Sequence, residues 1–420
     1  MTAVHIIGAG LAGLSAALTL QAAGLSPRLY EAAPGPGGRC GGWSPSPGGT
    51  IRDRGTHLIL AGNDTLCSLI RRHTPTEGWI TLPPLFRFHD LTTGDRWTLH
   101  PGRGRWPGWL FSAGRRVPGV SAIRHLLALL ALENRRVATV GEAVDPASLI
   151  GRRLIAPLAV ALLNTPAEAA SLPLLRRTLH QSLYRGGDAL SPLLCQTSLD
   201  HDLIRPLALA VTAAGGEIRL RTAITGLTAS AAGVTLHTPA GPVDCGTDPV
   251  ILATDATQAH RLLPQHLPAL PHSPILNLHY PLDDGCRRAT PDLTGLCGGR
   301  AEWMLRRPGH LAVTISAVSD SLRTSPDLAP QVWQEARQIY PDLPAACPLQ
   351  ARTLTERRAT LLQTPQTDAL RPPVHPRTGG WPPTLWLAGD WVQTGLPCTL
   401  EGAARSGVMA ADAIRQRISR

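Results

Sequence analysis

The stretch that decides the fold is "AVHIIGAGLAGLSAALTLQAAGLSPRLYEA", which runs from Ala3 to Ala32. Its apolar start, Val4–Ile7, has the composition of a buried parallel strand. Three glycines follow in the spacing G-x-G-x-x-G, an alanine-rich helical segment continues to Gly24, and a second apolar segment ends on Glu31. Strand, glycine turn, helix and strand in this order predict a βαβ unit in a parallel sheet.

The same stretch predicts a dinucleotide site. Its glycines would allow a tight turn, a close approach of the backbone to a pyrophosphate, and close packing of helix on strand. Glu31 lies 21 residues beyond Gly10, where an acid accepts hydrogen bonds from ribose hydroxyls. Glycines can also serve packing alone, but here the strand, the helix and the acid are all in place. The predicted binding turn comprises Gly8, Ala9, Gly10, Leu11, Ala12 and Gly13.

Two further segments favour FAD over NAD. "GGRC" begins at Gly37, and we expect its Gly38 and Arg39 to form an additional phosphate clamp, since arginine binds phosphate in a bidentate manner. The second segment, "LAGDWVQTGLPCTLEGAARSG", lies near the C-terminus and reads as strand, turn and helix. Its predicted features are a strand ending at Gly389, a ligand-facing Asp390, and a helix from Leu400 to Ile414 capped by Thr399. The positive end of that helix would face a flavin ring.

Composition and charge restrict the class of protein further. A chain of 420 residues exceeds one simple core, so two domains are expected. The net charge is +10, and all 40 basic residues are arginine because the sequence has no lysine. A basic excess favours an anionic partner, either nucleic acid or a lipid surface. Aromatic residues make up only 4% and no nucleic-acid motif occurs, so we expect no nucleic-acid partner.

Cysteine spacing and hydropathy suggest a compartment. The eight cysteines lie far apart without a C-x-x-C pair, so neither a disulfide framework nor a metal site is expected. No leader-like segment and no run of 18 apolar residues occurs. We therefore expect a cytoplasmic protein, peripheral at most on the inner face of the cytoplasmic membrane.

The region from residue 96 to 136 allows two interpretations. It interleaves tryptophan, phenylalanine and arginine, and then runs into "HLLALLAL". Such a mixture suits a membrane interface, with guanidinium groups on anionic headgroups and rings at the acyl boundary. The alternative is a solvated basic loop followed by an ordinary buried helix. The residues concerned are Trp97, Trp106, Trp109, Phe111, Arg103, Arg105, Arg115, Arg116 and Arg124.

The glycine turn, the segment after the second strand and the C-terminal segment together resemble a known family. "GAGLAGLSAAL", "YEAAPGPGGRC" and the C-terminal segment are similar to the flavin amine oxidase and carotenoid desaturase superfamily. A narrower resemblance, to the hydroxysqualene dehydroxylases of the hopanoid pathway, covers the chain nearly end to end. It is carried by "DRGTHLIL" (53–60), "RWTLHPGRGRWPGWLF" (96–111), "LNTPAEAAS" (163–171), "ERRATLLQTP" (356–365) and "DWVQTGLPCTLEGAARSG" (390–407).

The resemblance implies an α/β fold. A glutathione-reductase-like, FAD-binding Rossmann domain would comprise residues 1–75, 205–265 and 375–420. A mixed α+β substrate domain, made of residues 76–204 and 266–374, would be inserted between these segments. Ile224 would pack on adenine, within a β-meander over Gly215–Thr238. The substrate domain would be helical over about 110–200, with strands at "PILNLHY" and "HLAVTISAV".

The resemblance also implies a reaction, the reductive removal of the hydroxyl of hydroxysqualene to give squalene. Hydride from reduced flavin N5 would replace the departing water, and a general acid would protonate the hydroxyl. His57 and Asp53 are the candidate acids, with Glu401 third. The missing lysine disfavours amine oxidation, because amine oxidases of this superfamily place a lysine near flavin N5. Two alternatives are a desaturase of squalene- or carotenoid-type hydrocarbons and a non-catalytic prenyl-lipid escort. No second dinucleotide motif indicates the electron donor.

Overall fold

A computed structural model describes residues 2–44, 51–102, 104–230, 233–283, 286, 290–377 and 380–419. Arg103, one of the arginines of the basic region, lies outside the described residues. The strands are β1 Ala3–Ile7, β2 Ser26–Tyr30, β3 Gly42–Trp43, β4 Arg52–Asp53, β5 Ile59–Leu60, β6 Trp79–Thr81, β7 Phe86–Asp90, β8 Arg96–Leu99, β9 Pro192–Cys195, β10 Glu217–Arg219, β11 Gly226–Ser230, β12 Gly233–Thr238, β13 Gly241–Asp244, β14 Val250–Leu252, β15 His272–Pro281, β16 Asp292–Cys297, β17 Trp303–Arg307, β18 His310–Ser316, β19 Arg352–Leu361 and β20 Leu385–Leu387. The α-helices are α1 Leu11–Ala22, α2 Asp64–His73, α3 Ala122–Ala131, α4 Val140–Ala143, α5 Ala156–Leu163, α6 Leu172–Gln181, α7 Arg205–Ala213, α8 Ala256–Leu262, α9 Asp320–Arg323, α10 Leu328–Ile339, α11 Pro365–Leu370 and α12 Leu400–Ile418.

A parallel five-stranded sheet has the order β10-β2-β1-β14-β20. Strands β1 and β14 at its centre carry short, mainly apolar runs that are almost fully buried, so their sequences show no alternation of apolar and polar residues. The strands come from three separated stretches of the chain, and the order changes direction at β1. The crevice outside the carboxyl ends of β1 and β14 is therefore the place where a ligand of such a sheet binds. The domain boundaries predicted around this sheet stay a prediction.

The first and last long helices lie in close contact. Ser15 on α1 donates a hydrogen bond to the carbonyl of Ala404 on α12, at 2.7 Å. A Cβ on Gly407 would lie 2.2 Å from the carbonyl oxygen of Ala12, so only glycine allows this approach. The predicted α12 is confirmed with its Thr399 cap and continues to Ile418, because no glycine or proline follows Ile414 to end it.

The other large sheet has seven strands in the order β19-β15-β18-β17-β16-β7-β8. One face is covered by α10, whose Trp333 is fully buried against Leu278 and Val313 of the sheet. The helices α3 to α6 form a separate apolar cluster around Leu163 and Leu172. The strands predicted at "PILNLHY" and "HLAVTISAV" are present as β15 and β18.

The predicted β-meander is displaced. Its first segment, Glu217–Arg219, pairs with β2 and is the edge strand of the parallel sheet. The antiparallel meander is formed instead by β11, β12 and β13, from Gly226 to Asp244. Alternation alone could not separate these strands, because partner choice depends on contacts that are distant in sequence.

Gly407→Ala tests the α1–α12 contact. The added methyl would meet backbone atoms of Ala12 and Ala16 at 2.2 and 2.9 Å, and overpacking of this kind costs about 1–3 kcal/mol. Alanine is otherwise better than glycine in a helix by about 1 kcal/mol, so we expect a net fall in the free energy of unfolding. Gly114→Ala is the control, since no atom of the described residues, apart from its chain neighbours, lies within 4 Å of its Cβ position. Equal stability of the two variants would contradict the close contact.

Candidate functional site

The glycine turn after β1 leaves a helix end open. Gly8 has φ +108°, and a Cβ on Gly13 would lie 2.1 Å from the Gly8 carbonyl oxygen. Gly10 is the N-cap of α1, with no side-chain cap and no acid in the first turn, and no atom of another described segment lies within 4 Å of its Cβ position. An uncapped helix N-terminus beside free space fits a pyrophosphate, which its amides and positive dipole end would hold.

Glu31 stands directly after β2, beside this turn. Its Oε2 accepts from the amide of Ala9 at 2.8 Å, and its Oε1 accepts from that of Ala33 at 2.9 Å. Each carboxylate oxygen keeps a further lone pair, so the group can still accept from ribose hydroxyls. Thr222 donates to the Glu31 carbonyl at 2.8 Å, which places Ile224 at the same edge of the sheet.

Arg39 and Asp390 join the two ends of the chain. The guanidinium donates two hydrogen bonds to the carboxylate, at 2.6 and 2.9 Å, and a third to the carbonyl of Ala359 at 2.7 Å. Burial alone would lower the pKa of Arg39, but the Asp390 charge outweighs it and holds the pKa above its usual value. The sequence predicts that each side chain contacts FAD separately. In the structure they bind each other, so they act first as a clamp between segments.

The backbone around Asp390 explains its position. Gly389 has φ +143°, and a Cβ there would lie 2.4 Å from Nε1 of Trp391. Ser406 of α12 accepts a hydrogen bond from the Gly389 amide at 2.7 Å. The end of β20 and the first half of α12 are thereby held together beside the glycine turn.

Gln363 connects three of the family-like segments, and sequence reasoning missed it. Its amide donates to the carbonyl of Leu163 at 2.8 Å and accepts from the amide of Cys398 at 2.7 Å. Its own backbone amide donates to Thr165 Oγ1 at 2.9 Å. The signal available in the sequence was a single glutamine between two leucines and the dipeptide "TP". The signal was not sufficient, because the partners of this glutamine lie far away in sequence. Gln363 positions the loop that leads into α12.

Glu401 has a structural role in this geometry. Its side chain is 2% exposed and accepts from the amides of Thr65 and Leu66, at 3.2 and 2.9 Å. It also pairs with Arg405 at 3.0 Å. These bonds cap the N-terminus of α2, whose free amides attract a carboxylate. The suggestion that Glu401 is a third candidate acid is therefore corrected.

The carboxylate of Asp53 is hydrogen-bonded to the segment from Cys195 to Leu199. Its Oδ1 accepts from the Leu199 amide at 2.6 Å and its Oδ2 from the Cys195 thiol at 3.4 Å. Burial raises the pKa of Asp53 to about 6, against the opposing effect of the Leu199 hydrogen bond. A carboxyl group with this pKa exchanges a proton near neutral pH.

His57 is half-buried and has no hydrogen-bond partner among the described residues. Burial, reinforced by the positive charge of Arg39, lowers the pKa of His57 to about 4. Its imidazole is therefore neutral at pH 7. The charges of Arg39, Asp53 and Asp390 all act on the buried Cys40 thiol, whose pKa burial raises to about 12. The structure thus groups both candidate acids with the Arg39–Asp390 pair.

A cavity of about 650 Å³ lies along β7, β8 and β16. Its lining includes Leu82, Arg87, Trp97, Asp292 and Tyr340, and none of the predicted site residues. The glycine turn is the candidate functional site, because the open helix end and Glu31 lie there and the Arg39–Asp390 clamp joins the neighbouring segments.

Comparison with known proteins identifies the family of this chain. The family model of the flavin containing amine oxidoreductases matches residues 11–415. The protein therefore belongs to the flavin-containing amine oxidoreductase family, and it is an FAD-dependent oxidoreductase. Its predicted cofactor, FAD, and its predicted α/β Rossmann-type class are confirmed.

Individual relatives narrow the class. The chain is 36% identical to the hydroxysqualene dehydroxylase of Rhodopseudomonas palustris, over 98% of each chain. It is also 36% identical to that of Sinorhizobium fredii, over 97% of each, and 32% identical to that of Zymomonas mobilis, over 98% of this chain and 99% of the relative. The predicted resemblance to the hydroxysqualene dehydroxylases is confirmed.

Solved structures show the same fold at lower identity. Cyclohexylamine oxidase from Brevibacterium oxydans superimposes with a TM-score of 0.68 at 18% identity, and the match covers all of both chains. An oxidoreductase from Methanosarcina mazei gives a TM-score of 0.69 at 15% identity, covering 98% of this chain and all of the other. At these identities the likeness extends to the fold alone.

Glu31→Ala tests the proposed ribose contact. Loss of charge-assisted hydrogen bonds worth about 1.5–3 kcal/mol each should raise the Kd for FAD at least about tenfold. Isothermal titration of the flavin-free protein measures this Kd, and circular dichroism checks that the variant is folded. Glu217→Ala, on the adjacent edge strand β10, is the matched control and should bind FAD as the parent does. An unchanged Kd for Glu31→Ala would show that the ribose lies elsewhere.

Proposed function

We propose that the protein removes the hydroxyl group of hydroxysqualene reductively to give squalene, a step in the supply of hopanoid or other triterpenoid precursors. The observation that carries the proposal is the near end-to-end match to three hydroxysqualene dehydroxylases. The absence of lysine from the sequence agrees with it, because it removes a residue that amine oxidation in this superfamily uses.

The residues of the site fit FAD. The glycine turn and the open end of α1 would hold the pyrophosphate, and Glu31 and Ile224 would hold the ribose and adenine. Gly38, Gly389, Leu400 and the Arg39–Asp390 clamp would border the remainder of the cofactor. Bound and reduced, FAD supplies the hydride for the reaction.

The side chains of the protein would have to protonate the hydroxyl group so that it can leave as water. Hydroxide is a poor leaving group, so a proton must reach the oxygen as the carbon–oxygen bond breaks, and water departs. We propose Asp53 as the donor, because burial keeps its carboxyl partly protonated near pH 6. Its pKa of about 4 leaves His57 protonated in only about one molecule in a thousand at pH 7. His57 is therefore the weaker candidate of the two.

The surroundings of these groups suit a hydrocarbon. Leu58, next to His57, packs on a cluster formed by Leu194, Leu293 and Leu305. Apolar walls of this kind offer no nucleophile to an allylic cation and exclude water from it. An insoluble substrate also favours contact with a lipid surface, the partner predicted for the basic region 96–124.

An anaerobic single-turnover experiment tests the proposed reaction. Mixing the photoreduced holoenzyme with hydroxysqualene should oxidise the flavin and form squalene in equal amounts, as followed by absorbance and mass spectrometry. A flavin that stays reduced would contradict the proposal. Reduction of the oxidised holoenzyme by squalene would instead identify the runner-up, a desaturase. If neither mixture reacts although FAD is bound, the escort interpretation gains support.

Substitution of the two candidate acids tests the proton step. Asp53→Asn should slow flavin oxidation by about 10²–10⁴-fold, the usual contribution of a general acid, whereas His57→Gln should change it by a few-fold at most. The parental rate should decline as pH rises through about 6, because the carboxyl then loses its proton, and the Asp53→Asn rate should be independent of pH.

Glu335→Gln is the control for removal of a buried carboxylate, since Glu335 binds Arg300 on the far side of the seven-stranded sheet. Rates are normalised to bound flavin, so that a loss of cofactor is not counted as a loss of chemistry. A parental rate and pH profile in Asp53→Asn would exclude it as the donor.

A further inference from the structure

The exposed apolar side chains are concentrated in one region. Of twelve large apolar side chains exposed among the described residues, six lie between residues 106 and 130. Exposed apolar side chains are usually scattered singly over a protein surface, so their concentration in one segment indicates an interaction site. The six are Trp106, Phe111, Ile123, Leu126, Leu127 and Leu130, and we call them the apolar patch.

Helix α3 turns its apolar side outward. Ile123, Leu126, Leu127 and Leu130 recur at helical spacing, so they share one face. They are 36–68% exposed, whereas His125 on the opposite face is 1% exposed. An ordinary surface helix has the reverse arrangement. The interpretation of "HLLALLAL" as an ordinary buried helix is therefore wrong for this face.

Specific hydrogen bonds fix this orientation. The amide of Val117 donates to Nε2 of His125 at 3.2 Å. Nδ1 of His125 lies 3.0 Å from the Ser121 carbonyl, an acceptor, so this nitrogen carries the proton. The Ser121 side chain caps the helix by accepting from the Arg124 amide. Because a histidine is satisfied on the inner face, rotation of the helix to bury the leucines would break these bonds.

The neighbouring turn extends the patch. Arg116 donates to the carbonyls of Leu110 and Val120, at 2.8 and 3.1 Å, and so ties the turn to the segment before α3. Trp106 is 77% exposed and Phe111 is 65% exposed. A tryptophan and a phenylalanine at the border of an aliphatic face are typical of side chains at a membrane interface.

The charge around the patch has one sign. From Arg96 to Leu132 the sequence contains six arginines and no acidic residue. Arg105, Arg115 and Arg124 are exposed beside the patch. A second copy of this chain would bring two cationic rims together across a shared apolar face, which is unfavourable. An anionic lipid surface complements both the charge and the apolar side chains.

We propose that the apolar patch docks on an anionic lipid bilayer, with the leucines of α3 at the boundary between headgroups and acyl chains and the arginines on phosphates. No helix within the described ranges is long and apolar enough to cross a membrane. The proposal rests on this surface and not on the identity of the substrate, so it can fail while the proposed reaction stands.

Vesicle co-sedimentation of the holoenzyme tests the docking surface. The parent should bind vesicles of phosphatidylcholine and phosphatidylglycerol more tightly than vesicles of phosphatidylcholine alone. The double variant Leu127→Asp/Leu130→Asp should lower partitioning at least about tenfold. The matched control Leu209→Asp/Leu349→Asp alters two leucines that are 67% and 94% exposed outside the patch, and it should bind as the parent does.

Two further measurements complete the test. Arg105→Gln/Arg115→Gln/Arg124→Gln should abolish the preference for anionic vesicles, and flavin content should be unchanged in every variant. Sedimentation velocity without lipid should show a monomer. A parent that ignores anionic vesicles, or aspartate variants that bind as the parent does, would overturn the proposal. A dimer that the aspartate variants dissociate would assign the patch to a second copy instead.

Discussion

The buried ion pair between Arg39 and Asp390 is the constraint on which the site depends. It joins residues 351 positions apart in sequence, and Asp390 is only 6% exposed. A carboxylate buried this deeply is strongly unfavourable unless it is paired. Pairing with Arg39 neutralises this charge at the point where the segment after β2 meets the end of β20. The third bond of Arg39, to Ala359, draws the edge of the seven-stranded sheet to the same point.

Burial acts in opposite directions on the two candidate acids, and this separates their roles. It favours the uncharged form of each group, so the pKa of Asp53 rises to about 6 and that of His57 falls to about 4. The consequences for stability have opposite signs as well. The contribution of Asp53 is present below pH 4 and is lost as pH rises through 6, whereas that of His57 is present above pH 6.5 and is lost as pH falls through 4. Around neutral pH the imidazole of His57 is therefore neutral, whereas the carboxyl group of Asp53 can still exchange a proton.

The sequence predicted those features of the fold and site that depend on residues close together in the chain. The βαβ unit, the Thr399 cap and the position of Glu31 follow from residues close together in sequence, and all are present. Gln363 and Glu401 could not be assigned in this way, because their partners are 35 and 336 residues away. Helix α3 could be predicted only in part. Its sequence shows which residues share a face, but only the hydrogen bonds of His125 determine that the leucines point outward.

A double-mutant cycle on FAD binding tests the central claim, that the two ends of the chain hold one flavin through the Arg39–Asp390 pair. The Kd for FAD would be measured for the parent, Arg39→Ala, Asp390→Ala and the double variant. We predict that the single changes each weaken binding and that the double change costs much less than their sum, with a coupling of about 1–3 kcal/mol. Strictly additive effects, or single variants that bind FAD as the parent does, would contradict the account.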